Sequence, residues 1–105
     1  MKDLPFIVVK CPVRNMIIRK CLITRTMDNS PRSSLIETIE EADIQNMVCS
    51  GIVVQYLNSL ISHKSGKIAN LMLSDIMWDK TNGTIVEENG GILNRIYKSG
   101  VLESL

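Results

Sequence analysis

The sequence predicts a small α+β protein, a single domain over residues 1–105 in which two β-hairpins pack with helices. Three observations predict this class: the dipeptide Asn82-Gly83 between two β-prone runs, a capping box that begins at Ser34, and a length that suits one hydrophobic core. The expected hairpins span residues 4–27 and 67–88, and the expected helices span residues 34–49, 52–62 and 92–103.

The first predicted hairpin joins two apolar segments around Pro12. Residues 4–10 are rich in β-branched side chains, and residues 15–27 are apolar at both ends. Pro12 lacks an amide hydrogen and has a fixed φ, so a tight turn suits it better than a ladder position. Arg19 and Arg25 share a strand face with apolar residues, which leaves the register open between a bulge and burial of both faces at the strand ends.

A polar loop and a capping box predict where the first helix begins. Residues 28–33 are dense in turn formers and contain a proline, so we expect a mobile loop there. Ser34 and Glu37 then match the capping box, in which the Ser hydroxyl accepts from an amide and the Glu carboxylate reaches back. The apolar residues behind this cap keep helical spacing, namely Leu35, Ile36, Ile39 and Ala42.

Two later segments are also assigned to helices by their apolar spacing. Residues 52–62 begin with β-branched side chains, which favours a strand, but Val53, Leu57 and Leu60 fit a helix, which we prefer. Residues 92–103 place apolar side chains along one side of a terminal helix. The chain is expected to contain neither an internal repeat nor a low-complexity segment.

The dipeptide Asn82-Gly83 organises the second hairpin, because a type I′ turn needs positive φ at both central positions. Trp78, the only tryptophan, comes just before this turn. It is expected to pack across the strand pair against Ile85 or Val86, in the core rather than against a ligand.

Composition limits the classes of partner and compartment. The net charge is +1, so no global field steers the chain to nucleic acid or anionic lipid. Three cysteines cannot all pair within one chain, which fits a reducing, cytoplasmic location. No apolar run reaches signal-peptide or membrane-span length, so an unprocessed soluble chain without a membrane span is expected. Frequent Ile, Asn and Met indicate AT-rich coding, as in many viruses.

Candidate catalytic and metal-binding residues are few, and the sequence predicts neither an enzyme nor a cofactor. His63 is the only side chain that titrates unperturbed near neutrality, and a polar loop around it predicts a solvated residue. Asp75 and Asp79 would share a strand face, but such carboxylate pairs are usually solvated rather than metal ligands. We therefore predict no catalytic residue and no metal site.

One basic concentration stands out, consisting of Arg14, Arg19, Lys20, Arg25 and Arg32, with Asp28 as its only acidic neighbour. Such side chains can track phosphates or contact an acidic partner. They can equally guard an edge strand against sheet-to-sheet aggregation, and we favour this interpretation because no aromatic residue interleaves with them.

A resemblance to a known family concerns three segments. Gly51 to Val54, Ser65 to Asp75 and Asn82 to Ile85 resemble the first three strands of OB-fold nucleic-acid-binding domains. The similarity covers fewer than half of the residues. It implies a strand-rich barrel that binds single-stranded nucleic acid, with the segment 14–32 as the basic surface.

The leading functional prediction is a non-enzymatic accessory protein that self-associates, most simply as a symmetric dimer, or docks on a protein partner. It depends on the high apolar content, 45% of residues, for so small a surface. The alternative is the OB-like single-stranded nucleic-acid-binding protein.

Overall fold

The computed structural model describes residues 5–23, 32–54, 57–78 and 85–103, and these residues form strands and turns without any helix. The strands, β1 to β9 in chain order, are Ile7–Val9, Pro12–Arg19, Leu22–Ile23, Arg32–Thr38, Asp43–Val54, Leu57–His63, Lys67–Trp78, Val86–Glu88 and Ile92–Glu103. The expected α+β class is therefore wrong.

The strands form two sheets in which every described pairing is parallel. Sheet A has the order β1-β4-β6-β8, and sheet B has the order β2-β5-β7-β9 with β3 also paired to β5. The chain passes from sheet A to sheet B and back, advancing by one strand each time. This is a β-solenoid, and we call its four successive layers coil 1 (β1 to β3), coil 2 (β4 and β5), coil 3 (β6 and β7) and coil 4 (β8 and β9).

The coils repeat at nearly constant length in the second half of the chain. Ile44 pairs with Ile68, and Ile68 pairs with Leu93, which are separations of 24 and 25 residues. Residues at equivalent positions therefore stack in columns along the solenoid axis. The prediction that the chain has no internal repeat is wrong, although the repeat is one of structure more than of identical residues.

A left-handed residue bends each sheet B strand at the same position. Lys20, Gly51, Asp75 and Gly100 have φ values of 56°, 63°, 52° and 64°. We call them the corner column. A residue other than glycine in this conformation costs roughly 1–2 kcal/mol, so Lys20 and Asp75 are held there by the pairing on either side of them.

The core lies between the two sheets and consists of inward-facing aliphatic columns. In coils 2 and 3 these side chains are fully buried or nearly so: Ile44, Met47, Cys49, Ile52 and Val54, stacked on Ile68, Leu71, Leu73, Ile76 and Trp78. Full burial of one such side chain contributes about 1.5–3 kcal/mol. Trp78 thus belongs to the core, but its neighbours in the sheet are Val54 and Glu103 rather than a hairpin partner.

The predicted helices are strands because tertiary packing overrides their apolar spacing. Residues 34–49 form most of β4 and β5, residues 52–62 end β5 and form most of β6, and residues 92–103 are β9. Ser34 and Glu37, expected to cap a helix, both lie inside β4. Ser34 is fully buried and its hydroxyl has no hydrogen-bond partner, whereas the Glu37 carboxylate lies 3.3 Å from Lys64 Nζ.

The two predicted hairpins are also wrong. β1 and β2 lie in different sheets, and β7 pairs with β5 and β9 whereas β8 pairs with β6. Asn82 and Gly83 lie outside the described residues. So do residues 28–31 of the expected mobile loop, while residues 32 and 33 begin β4. The parallel arrangement also excludes the antiparallel barrel implied by the OB-fold resemblance.

Candidate functional site

The outer surface of sheet B carries a column of exposed apolar side chains. We call this column the central ladder, and it consists of Ile17, Val48, Met72 and Tyr97, one residue from each coil. Ile17 is 61% exposed, Met72 47% and Tyr97 48%, whereas Val48 is half-buried. Because neighbouring strands lie about 4.8 Å apart, the four side chains form one apolar strip along the solenoid axis.

A second apolar column lies beyond the corner column. We call it the side ladder, and it consists of Leu22, Val53, Met77 and Leu102. Leu22 is 70% exposed, Met77 55% and Leu102 64%. The two ladders together hold six of the exposed large apolar side chains of the described chain, so the outer face of sheet B is the main apolar surface of the solenoid.

Small polar residues separate the two ladders. Ser50, Ser74 and Ser99 share one column with Arg19 of coil 1. Short side chains here leave the taller apolar side chains on either side free to contact another surface.

An amide ladder borders the central ladder on its other side. Nδ2 of Asn46 donates to Oδ1 of Asn15, and Nδ2 of Asn70 donates to Oδ1 of Asn46, both at 3.0 Å. Arg95 occupies this column in coil 4. These bonds link side chains of successive coils and hold the outer face in register.

The predicted basic surface is brought together only in part. Arg14 and Arg19 lie on β2 and Lys20 lies in the corner column, all three exposed, with Lys10 nearby in the same coil. Arg25 lies outside the described residues, and Arg32 begins β4, with a side chain that is not described. The cations that can be placed therefore belong to coil 1, whose strand β2 is an edge of sheet B.

The opposite edge of sheet B is also cationic. β9 carries Arg95 and Lys98, both exposed. Lys98 occupies the column that holds Cys49 and Leu73 in the inner coils. Cations at both edges fit the interpretation that these residues guard unpaired strands, since charged side chains disfavour strand addition.

A shallow depression of about 270 Å³ lies beside Arg14 at the coil 1 edge. Asp43 and Gln45 also line it. A cation and a carboxylate face the same space, so this depression offers no net charge to an anionic ligand.

His63 is a buried structural residue, and the prediction of a solvated loop histidine is wrong. Its Nε2 lies 2.8 Å from the carbonyl oxygen of Ile92, which can only accept, so Nε2 carries the hydrogen and donates. Nδ1 lies 2.6 Å from the hydroxyl of Thr38, which donates to it in the neutral ring. His63 therefore ties coil 3 to coils 2 and 4.

The cysteines differ sharply in environment. Cys11 is exposed, Cys21 is half-buried and Cys49 is buried, and all three thiols are free. Burial, with a smaller contribution from the nearby Cys21, raises the pKa of Cys49 to about 12. Cys49 is accordingly a small apolar core residue rather than a nucleophile.

The predicted carboxylate pair lies partly outside the described residues. Asp75 lies in the corner column, and Asp79, its suggested partner, is outside the described residues. Within the described ranges, no three His, Cys, Asp or Glu side chains are grouped closely enough to hold a metal ion. The same residues include no helix that could cross a membrane.

Sequence reasoning missed both ladders, although a signal for them exists. An apolar residue is followed two positions later by Ser, then by Gly or Asp, a β-branched residue and another apolar residue. This pattern occurs as Val48 to Val53, Met72 to Met77 and Tyr97 to Leu102. Its spacing of 24 and 25 residues marks the solenoid repeat.

Searches against protein-family models, curated proteins and solved structures find no match to this chain.

Proposed function

We propose that this chain is a non-enzymatic interaction protein that associates with a second copy of itself through the outer face of sheet B. The observation that supports this proposal is the pair of exposed apolar ladders, which run through all four coils. The largest exposed apolar surface of a soluble protein is often a functional one, and interaction with another protein surface is its commonest use.

The size of the face sets the strength of the association. On the central-ladder side of the bend, the strand from the column of Asn46 to that of Ser50 spans five residues, about 16 Å, and four coils add about 19 Å, which gives about 300 Å² per copy. Two copies that face each other through the central ladder would bury about 600 Å² together, which is below the usual size of a specific interface. The association is therefore reversible and depends on concentration.

The composition of the ladders suits a like partner. Leu, Ile, Val and Met dominate both columns, and Met adapts its shape to the opposing surface. Two such faces exclude water from each other, whereas a charged partner would leave these side chains poorly matched. A different protein with an apolar face remains an outcome of the test below.

Sedimentation equilibrium of the full chain tests this proposal, with Met72→Glu as the variant and Val8→Glu as the matched control. Both substitutions put a carboxylate in place of an exposed apolar strand residue, but Met72 lies in the central ladder and Val8 lies on β1 of sheet A. Met72→Glu should weaken association at least about tenfold, or about 1.4 kcal/mol, and the control should not. A wild-type chain that stays monomeric to millimolar concentration would overturn the proposal.

A second candidate is binding of single-stranded nucleic acid by coil 1. The observation in its favour is that Lys10, Arg14, Arg19 and Lys20 are all exposed there, while residues 5–23 include no acidic residue. Binding through phosphates weakens steeply with salt. Retention on an oligonucleotide column should then fall with salt in the wild type. Loss of that retention in an Arg14→Ser/Arg19→Ser variant that light scattering shows to be soluble would promote this candidate above self-association.

We also propose a reducing, cytoplasmic location. The support is that three cysteines, Cys11, Cys21 and Cys49, cannot all pair within one chain, and unpaired thiols persist most readily in a reducing compartment. Cell fractionation, with the three thiols titrated before and after reduction, tests this location.

A further inference from the structure

Resting on the self-association proposed above, we infer its geometry: a two-fold symmetric pair with facing central ladders and antiparallel solenoid axes. Coil 1 of each copy then lies against coil 4 of the other. The inference rests on the order of side chains along four columns of the outer face, which follow from the strand register.

Two symmetric arrangements can bring the central ladders face to face. A two-fold axis parallel to the solenoid axis places each coil against the same coil of the second copy and reverses the strand direction. A two-fold axis parallel to the strands keeps each column against itself and reverses the order of the coils. Both are isologous, so charge and side-chain size decide between them.

Charge disfavours the first arrangement. Reversing the strands about Ile17 brings Lys20 opposite Arg14 of the second copy and Arg19 opposite its Asn15. Exposed cations then meet across the interface twice, because the pair is symmetric, and like charges in contact disfavour association.

The antiparallel arrangement avoids direct opposition of cations. Arg14, Arg19 and Lys20 then face Asn94, Ser99 and Gly100 of the second copy, which are uncharged, and Arg95 of the second copy faces Asn15 beside Arg14. The corner column also places Asp75 one strand away from Gly100, about 4.8 Å along the axis. The Lys20 ammonium of one copy thus comes within reach of the Asp75 carboxylate of the other.

Side-chain size leads to the same choice. In the antiparallel pair Ile17 faces Tyr97 of the second copy, and Val48 faces its Met72. Larger side chains then meet smaller ones, as close packing requires. With parallel axes Tyr97 meets Tyr97 and Val48 meets Val48, which leaves a clash at one coil and a gap at another.

The main alternative is end-to-end stacking, in which β9 of one copy pairs with β2 of another. The residues of these two edge strands disfavour it. Continuing sheet B from β9 to β2 of another copy would place Arg95 over Asn15 beside Arg14, and Lys98 over Ile18 beside Arg19. Because Ile18 shares its column with the core residue Cys49, Lys98 would then have to enter a core column. The charged edge strands therefore disfavour end-to-end stacking, whereas the apolar ladders carry no such charge.

Chemical cross-linking tests the geometry in a Cys11→Ser/Cys21→Ser background, with a bismaleimide about 8 Å long. Facing sheets lie about 10 Å apart and coils 1 and 4 about 14 Å apart, so a reagent of this length joins only directly opposed positions. Ile17→Cys/Tyr97→Cys should form covalent dimers, and neither single substitution should give a covalent dimer. Dimers from Ile17→Cys alone would show parallel axes and overturn the inference.

A second variant pair protects the test against misfolding of the first. Arg14→Cys/Asn94→Cys lies at the exposed rim of the same face, where the antiparallel pair also opposes coil 1 to coil 4. This second pair should also form covalent dimers. If it forms none although the chain sediments as a dimer without the reagent, the inference is overturned. A chain that sediments as a monomer without the reagent would instead overturn the proposed function itself.

Discussion

The inner and outer strands of sheet B occupy the same columns but carry different residues. β5 and β7 place Asn, Ser and aliphatic side chains where β2 and β9 place Arg14, Arg19, Arg95 and Lys98. Core positions that are fully buried in the inner coils, such as Leu71, are half-exposed or exposed in the outer ones.

The position of a coil, rather than its local sequence pattern, therefore decides whether a residue holds the core, contacts another surface or protects an edge. An inner strand is covered above and below, so its inward side chains hold the fold and its outward ones are free for contact. An outer strand has one unpaired edge, so cations there prevent unwanted strand addition. We therefore expect self-association through the outer face of sheet B.

The largest effect on the free energy of unfolding should come from replacing core side chains by alanine, and it should differ between an inner and an outer coil. Leu71→Ala in coil 3 should cost about 2–5 kcal/mol of unfolding free energy, because it leaves a cavity in a fully buried site. Ile96→Ala in the same column of coil 4 should cost about 1 kcal/mol, since Ile96 is already 40% exposed. Urea denaturation measures both, and equal costs would contradict the distinction between inner and outer coils.

Gly66 and Gly51 lie at two different bends and should differ in how much an added methyl group destabilises the protein. A methyl group on Gly66 would run into the backbone carbonyl of Ala42, whereas at Gly51 the nearest atom is 3.6 Å away. Gly66→Ala should therefore cost more than about 2 kcal/mol, and Gly51→Ala only the roughly 1–2 kcal/mol of the left-handed conformation. Thermal unfolding with equal losses for the two variants would show that the bend between the sheets is misplaced.

The contact between coils 2 and 3 through His63 should have an intermediate effect. Thr38→Val removes the hydroxyl that donates to Nδ1 and leaves a buried acceptor unsatisfied, at a cost of about 1–3 kcal/mol. Thr38→Ser keeps the hydroxyl and is the matched control. A valine variant as stable as the wild type in urea, with a destabilised serine variant, would show that the hydrogen bond contributes nothing and that packing of the methyl group explains the site.

The edge cations should affect solubility rather than stability. Arg14→Ser/Arg19→Ser should change the unfolding free energy by less than about 0.5 kcal/mol, because both side chains are exposed. The variant should nevertheless aggregate, and Arg14→Lys/Arg19→Lys should not, since lysine keeps the charge. Light scattering after storage checks this, and a fully soluble serine variant would remove the guarding role.

The reactivity of the thiols should differ between the outer coil 1 and the inner coil 2, and no substitution is needed to measure it. Cys11 in coil 1 is exposed and should react with a disulfide reagent at pH 8 within the mixing time of an ordinary assay. Cys49 stays protonated there because burial raises its pKa to about 12, and the thiolate is the nucleophile. Rapid labelling of Cys49 in the native protein would contradict its burial in coil 2.

Part of this structure could be predicted from the sequence. The composition indicated a core of Ile, Leu, Val and Met, and Trp78 was expected to be buried. β-branched residues indicated strands near residues 4–10 and 15–27, where β1, the second half of β2 and β3 lie. These features depend on local propensity and apolar content, which the sequence states directly. Pro12, expected in a turn, is instead the first residue of β2.

The pairing of the strands could not be predicted in this way. Parallel partners lie 24 or 25 residues apart in coils 2 to 4, beyond the reach of any turn signal. Burial of Ser34, Leu35 and Ile36 in succession removes the alternation typical of a strand, and Ser50 and Gly51 interrupt it again at the corner. Helical spacing was therefore the better local fit to residues that fold as strands.

Hydrogen exchange of the wild-type chain, followed by mass spectrometry at low and high protein concentration, tests most directly whether association uses the outer face and not the ends. Association through the ladders covers side chains, so the unpaired amides of β2 and β9 should exchange equally fast at both concentrations while sedimentation records the dimer. Slower exchange confined to β2 and β9 at high concentration would show strand addition at the edges and contradict the account.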